Sequence, residues 1–91
     1  MTKNLKALSM KLINKNSTGN YREYEHNGEY ILFSYDVVVA AKIPNIGIYL
    51  DEQYWDYSVT TVKHITTFLN TDSRKLRKMI KDGTITLKNL N

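Results

Sequence analysis

The chain has 91 residues, the length of one domain, and it contains no cysteine. Disulfides, thiolate nucleophiles and cysteine-bound metal sites are therefore excluded. The net charge of +4 is unevenly distributed: residues 1–18 carry four lysines and no acid, residues 19–57 carry seven acids and two bases, and residues 58–91 carry seven bases and two acids. We expect a single domain over residues 1–91 with an acidic and a basic surface. Alternatively, the acids only solubilise the outer face of a sheet.

No stretch of the sequence has the length and composition of a membrane segment. The longest uncharged apolar run covers residues 37–41, which is far too short to cross a bilayer, and no signal-type apolar segment follows the amino terminus. We therefore expect a soluble cytoplasmic protein without membrane contact.

The amino-terminal part of the sequence fits two structures. Leu8, Met10 and Leu12 alternate as in a strand, whereas Leu5, Leu8 and Leu12 recur as on one side of a helix. We predict a strand over residues 7–14, with a helix as the open alternative.

The middle of the sequence predicts neighbouring strands. Asn27-Gly28 is typical of a type I′ hairpin turn, because both residues accept a positive φ angle. A second tight turn is indicated by Pro44 and Gly47, and the apolar segments between the turns are rich in strand formers. The predicted strands cover residues 21–26, 29–35, 37–41 and 48–50.

From Ser58 onward the apolar spacing becomes that of a helix. Ser58 is typical of an N-cap. The residues predicted to face the sheet are Val59, Val62, Ile65 and Leu69, packed against Ile31, Phe33 and residues 37–39. The residues predicted to face solvent are Thr60, Lys63, His64 and Thr67.

A second helix is predicted from Asp72 or Ser73 to Asp82, ended by Gly83 in a left-handed conformation. Its inward side carries Leu76, Met79 and Ile80. Residues 84–88 alternate again and predict a short edge strand. The fold class is therefore α+β, an antiparallel sheet of four or five strands with two C-terminal helices.

Two segments resemble a family of small proteins common in phages and mobile elements. Residues 34–40 (Ser-Tyr-Asp-Val-Val-Val-Ala) and 58–64 (Ser-Val-Thr-Thr-Val-Lys-His) resemble its pattern Ser-Tyr-x-Thr-x-Val-Ala, followed after a gap by Ser-x-Thr-Thr-x-Lys-His. Val37 stands where the family usually has threonine. The resemblance covers residues 28–70 and implies a phage or mobile-element setting, hence the cytoplasm of a bacterial host, but it brings no biochemical activity with it.

Catalysis and metal binding have little support in the sequence. His26 and His64 lie on different predicted elements, and neither has metal ligands at helical spacing. A catalytic triad can be drawn from His64 with Ser34, Ser58 or Thr61 and with Asp36 or Asp56, but any chain of this composition offers such a trio. We expect no enzyme activity, no metal and no cofactor.

One candidate partner-binding surface combines aromatic and acidic side chains. Tyrosine and tryptophan supply contact area at low entropic cost, and the acids would repel nucleic acid. The alternative is that Trp55 and Tyr57 close one end of the core. The residues of this surface are Tyr49, Asp51, Glu52, Tyr54, Trp55, Asp56 and Tyr57.

A second candidate surface is cationic and would bind nucleic acid or another anion. Hydroxyls at a helix N-terminus beside a lysine can hold a phosphate, and a stripe of cations on one helix can neutralise several phosphates. The alternatives are ordinary helix capping and a solvated cationic face. The residues are Thr60, Lys63, His64, Arg74, Arg77, Lys78 and Lys81.

The expected function is a non-enzymatic binding module that contacts a host or phage protein stoichiometrically, one that handles nucleic acid. An inhibitor of a bacterial defence system, of the anti-CRISPR type, is the most concrete form. The alternative is direct nucleic-acid binding through the second helix.

Overall fold

A computed structural model describes residues 10–91. Its elements are β1 (Lys11–Lys15), β2 (Tyr21–His26), β3 (Glu29–Ser34), β4 (Val37–Ile43), β5 (Gly47–Asp51), α1 (Val59–Leu69), α2 (Ser73–Lys81) and β6 (Ile85–Lys88). The strand predicted over residues 7–14 is confirmed from Lys11 onward, while residues 7–9 of that prediction lie outside the described part of the chain.

The six strands form one sheet in chain order, β1-β2-β3-β4-β5-β6. Neighbouring strands from β1 to β5 are antiparallel, but β6 runs parallel to β5 and pairs Ile85 with Ile48. The α+β class is confirmed. The predicted antiparallel sheet of four or five strands is corrected to a mixed sheet of six, because α1 and α2 return the chain to the level at which β5 begins.

The structure confirms the predicted hairpin turn at Asn27-Gly28 and the predicted N-cap at Ser58. Asn27 and Gly28 have φ angles of 51° and 81°, as a type I′ turn requires. The Ser58 side chain accepts a hydrogen bond from the Thr61 backbone N–H, and Asp72 caps α2 in the same way. These local contacts fix where both helices begin.

The core lies between one face of the sheet and the two helices. Its buried residues are Tyr21, Leu32, Val39, Ala40, Leu50, Ile65, Phe68, Leu76 and Ile85. The other face of the sheet carries Ile31, Phe33 and Tyr49, which line a cleft of about 690 Å³ together with the segment after β6. No helix within residues 10–91 is long and apolar enough to cross a membrane.

The predicted inward face of α1 is partly wrong. Ile65 and Phe68 are buried with Thr61, while Val59 is 76% exposed. The helix is rotated toward Thr61 because its hydroxyl finds hydrogen-bond partners inside the protein. Leu32 lies on the sheet face that α1 covers, whereas the predicted partners Ile31 and Phe33 lie on the other face. Successive side chains of β3 point to opposite faces of the sheet.

This packing predicts unequal losses of stability for two aliphatic side chains on α1, one buried and one exposed. Ile65→Ala should lower the free energy of unfolding by about 2–4 kcal/mol, because Ile65 is fully buried. Val59→Ala should change it by less than about 0.5 kcal/mol, because Val59 projects into water. Urea unfolding followed by circular dichroism measures both values, and equal losses would show that the helix face is wrongly placed.

Candidate functional site

The loop between β5 and α1 is held in place by a buried carboxylate. Asp51 is 1% exposed. Its Oδ2 accepts hydrogen bonds from the backbone N–H groups of Gln53 and Tyr54 at 3.1 and 3.0 Å, and its Oδ1 accepts one from Leu90 at 2.8 Å. Asp51 therefore organises the loop from within and does not contribute charge to the predicted partner-binding surface.

Tyr49 is also separated from that surface. Its position in β5 places it opposite Ala41 on the sheet face away from the helices, where the ammonium of Lys88 lies 5.3 Å from its ring centroid. The remaining residues of the predicted surface stay together in the loop, which we call the aromatic loop. Its members are Glu52, Tyr54, Trp55, Asp56 and Tyr57.

The three aromatic side chains of the aromatic loop differ in burial. Tyr54 and Trp55 are half-buried and pack against the core cluster, whereas Tyr57 is 75% exposed. The Tyr54 and Tyr57 rings lie 6.1 Å apart at 60°. Glu52 and Asp56 are exposed. The loop thus presents one free tyrosine above two anchored aromatic side chains, with acids beside them.

A groove of about 670 Å³ runs between α1 and α2 beside the aromatic loop, and we call it the interhelical groove. The Arg77 guanidinium of α2 lies 5.2 Å from the Trp55 ring centroid, a cation–π contact that joins the two predicted surfaces. The groove is lined by Asp56, Ser58, Val59, Val62, Lys63, Thr66, Thr71, Asp72, Ser73 and Arg77. Sequence reasoning placed the acids and the cations on separate surfaces, and the fold brings members of both together.

Val59 is the site residue that sequence reasoning missed. Its aliphatic side chain was assigned to the core from the helical period, but it stands exposed in the first turn of α1 and lines the groove. The available signal was Thr61, whose hydroxyl competes with Val59 for the inward side of the helix.

The other residues of the predicted nucleic-acid or anion-binding surface are exposed outside the groove. Arg74, Lys78 and Lys81 lie on α2, and Thr60 lies on α1. Within residues 10–91, none of the three cations forms an ion pair, although the charge of Lys78 contributes to lowering the pKa of Asp82. The structure therefore leaves a cationic outer side of α2 beside the groove.

His64 is not a solvent-facing helix residue as predicted, because it joins α1 to the end of β3. Its Nδ1 lies 2.7 Å from the Oγ of Ser34, a side chain only 2% exposed. The hydroxyl of Ser34 also approaches Thr61 at 3.5 Å, and Thr61 lies 3.1 Å from the Oγ of Ser58. A row of hydroxyls thus connects His64 to the N-cap of α1.

Aromatic rings enclose the same imidazole. The ring centroids of Tyr21 and Tyr35 lie 5.3 and 6.0 Å from that of His64. Tyr35 has a φ of 58°, which is unusual for a bulky residue, and its backbone N–H donates to Asn20 at 2.8 Å. Burial lowers the pKa of His64 below its ordinary value of 6.5.

This junction has the geometry of a structural contact. The Ser34 hydroxyl is shielded from solvent, so an external substrate does not reach it. Asp36, one of the two acids considered for a triad, instead pairs with Arg22 at 3.0 Å. Among residues 10–91 there is no group of three histidine or acidic side chains placed to hold a metal ion.

Comparison with known families now assigns the chain. A family model covering residues 4–83 matches it, and that family is described as one of unknown function, DUF8033. The chain belongs to DUF8033. No curated protein and no solved structure matches it.

The His64 environment predicts how the stability of this DUF8033 protein depends on pH. Because the pKa of His64 is lower in the folded than in the unfolded chain, the unfolded chain binds more protons between the two values. The contribution of His64 is complete above about pH 6.5 and is lost as the pH falls through the folded pKa. Urea unfolding between pH 5 and 8 should show this loss in the native chain, and His64→Gln should remove that component. An identical pH profile in the variant would contradict the assignment.

Proposed function

We propose that this DUF8033 member is a non-enzymatic binding module that contacts a protein partner through its aromatic loop and the start of α1. The observation that carries the proposal is the exposure of Tyr57 and Val59. At 75% and 76%, they are the two most exposed large hydrophobic side chains in residues 10–91, and they are two positions apart. Neighbouring exposed apolar side chains are typical of protein-binding sites.

The surface is fixed before a partner arrives. Asp51 holds the beginning of the loop through its hydrogen bonds to Gln53 and Tyr54, and Ser58 caps the helix that follows. A loop fixed at both ends loses less conformational entropy on binding than a free one. Tyr57 can therefore act as an anchor residue, with half-buried Tyr54 and Trp55 supporting it.

The exposed acids support a partner with a basic surface. Glu52 and Asp56 are exposed at the edge of the loop and form no ion pair within residues 10–91. Charges in such positions mainly raise the rate of association. A protein that handles nucleic acid offers a complementary basic surface. Inhibition of a bacterial defence system, of the anti-CRISPR type, in the cytoplasm of a bacterial host is the concrete form of this proposal. Its support is the resemblance to small phage and mobile-element proteins.

Capture of a partner from nuclease-treated host lysate, followed by surface plasmon resonance with the purified partner, tests the proposal. Tyr57→Ala should speed dissociation about tenfold, equivalent to about 1.4 kcal/mol, because it removes an anchor. Glu52→Lys with Asp56→Lys should slow association. Ile46→Ala is the matched control, because Ile46 is 70% exposed in the turn at the other end of β5. Equal rates for Tyr57→Ala and Ile46→Ala would reject the proposed surface.

Direct nucleic-acid binding is the second candidate function. The observation that favours it is the cationic outer side of α2, where Arg74, Lys78 and Lys81 are exposed and form no ion pair within the described residues. Cations on one side of a helix can contact successive phosphates, and such binding weakens steeply with salt.

Mobility-shift titration with single- and double-stranded DNA and RNA at several salt concentrations tests this candidate. Lys78→Glu with Lys81→Glu should weaken binding and reduce the slope of log K against log salt by about 2. Lys11→Glu with Lys15→Glu makes the same change in net charge on β1 and should leave most of the affinity. Absence of any shift at low salt, or equal effects of the two double variants, would eliminate the second candidate.

A further inference from the structure

We propose that Tyr35, in the turn between β3 and β4, is a second anchor residue of the partner-binding surface. The surface then continues from the aromatic loop across the first turns of α1, and it fits an uncharged loop of the protein partner. This inference rests on the proposed function, which places Tyr57 and Val59 in the contact. It adds a second anchor and the chemistry of the bound segment.

The backbone of Tyr35 has a conformation that bulky side chains disfavour. Within residues 10–91, four residues other than glycine have a positive φ angle, and three of them are asparagine. Asparagine tolerates this left-handed region, whereas a bulky residue there is a steric outlier. Tyr35, with a φ of 58°, is the exception. Because strain of this kind is concentrated at functional sites, it indicates a use for the Tyr35 side chain.

The fold itself gains little from the Tyr35 ring. The ring is 45% exposed and lies outside the core cluster. Its ring contact within residues 10–91 is with the imidazole of His64, at 6.0 Å between centroids and an angle of 43°. The hydrogen bond that fixes the turn comes from the Tyr35 backbone N–H to the Asn20 carbonyl, and any residue except proline can make it. The tyrosine side chain is therefore available for contact with another molecule.

The exposed side of α1 connects Tyr35 to the aromatic loop. His64, which Tyr35 contacts, lies four positions after Thr60, so the two are on the same side of the helix. Thr60 is exposed and directly follows Val59 in the first turn, and Tyr57 precedes the N-cap. These five side chains form a strip with an exposed tyrosine at each end, which we call the tyrosine strip.

The tyrosine strip is uncharged at neutral pH. Burial lowers the pKa of His64 below 6.5, so its imidazole is neutral there. Of the charges beside the strip, Asp36 is paired with Arg22 at 3.0 Å, and Lys63 is a single cation at the margin that also lines the interhelical groove. One cation is too few to hold a nucleic-acid backbone, whose binding depends on neutralising several phosphates.

Tyrosine and threonine suit contact with an uncharged protein loop. Tyrosine supplies a large, rigid contact area at low entropic cost, and its hydroxyl, like that of threonine, can both donate and accept hydrogen bonds. A loop offers backbone N–H and C=O groups as the complementary partners. The exposed acids Glu52 and Asp56 lie in the aromatic loop, outside the strip, so the basic surface of the partner would contact the edge of the interface.

Thermal unfolding of the full chain tests the strain. Tyr35→Asn should raise the melting temperature by roughly 2–6 °C, because asparagine accepts the positive φ and keeps the backbone hydrogen bond to Asn20. Tyr57→Asn is the matched control, because the φ angle of Tyr57 is not positive, and it should not raise the melting temperature. A fall for Tyr35→Asn, or a rise no larger than that of the control, would overturn the inference.

Surface plasmon resonance with the same purified partner as in the Tyr57→Ala experiment tests the contact. Tyr35→Asn should speed dissociation at least about fivefold in spite of the higher stability, because it removes an anchor. Leu12→Asn is the control, because Leu12 is also 45% exposed but lies on β1, and its dissociation rate should equal that of the native chain. Circular dichroism checks that each variant is folded.

The two anchors can fail separately. A partner that responds to Tyr57→Ala but not to Tyr35→Asn would overturn this inference and leave the proposed function intact. A partner that responds to Tyr35→Asn but not to Tyr57→Ala would support the contact at Tyr35 and reject the anchor role of Tyr57. Equal dissociation rates for Tyr35→Asn and Leu12→Asn would remove Tyr35 from the interface.

Discussion

Burying a carboxyl group without hydrogen bonds destabilises the folded state. The position of Asp51 therefore depends on the three hydrogen bonds that its carboxylate accepts from backbone N–H groups. Those groups come from two different parts of the chain, the aromatic loop and the segment after β6. The Asp51 carbonyl also accepts the Trp55 N–H, and the Glu52 N–H reaches the Lys88 carbonyl. One residue thus joins the end of β5, the loop and the chain after β6. The direction in which the loop enters α1 depends on this contact.

The elements of the fold that local chemistry determines were predictable from the sequence. Asn27-Gly28 specifies its turn, and Ser58 and Asp72 specify two helix starts, because the groups involved lie within a few residues of each other. The parallel pairing of β6 with β5 was not predictable in this way. It depends on how far two helices carry the chain, a property of tertiary packing that no short pattern reports.

The candidate site was predictable in its residue types more than in its arrangement. The aromatic loop was recognised because tyrosines and acids cluster in the sequence, and the cations of α2 because they share a helical side. The sequence places Asp51 on the surface with the neighbouring acids, because its burial depends on a hydrogen bond from Leu90, which is far away in the sequence. The sequence places Val59 in the core because helical periodicity is read from apolar residues, and valine is apolar whereas threonine is not. The Ser34 hydroxyl that draws Thr61 inward lies on a strand more than twenty positions earlier.

The exposure of Val59 follows from the junction between β3 and α1. Successive helical positions are about 100° apart, so a rotation that buried Val59 would turn Thr61 away from Ser34 and displace His64 from the same hydroxyl. The buried polar contacts therefore set the rotation of α1, and the rotation leaves an aliphatic side chain in water beside Tyr57. A domain of this size has little apolar surface to spare. The junction thus determines which side chains of α1 are exposed. Val59 lines the interhelical groove only while Ser34, Thr61 and His64 stay in contact.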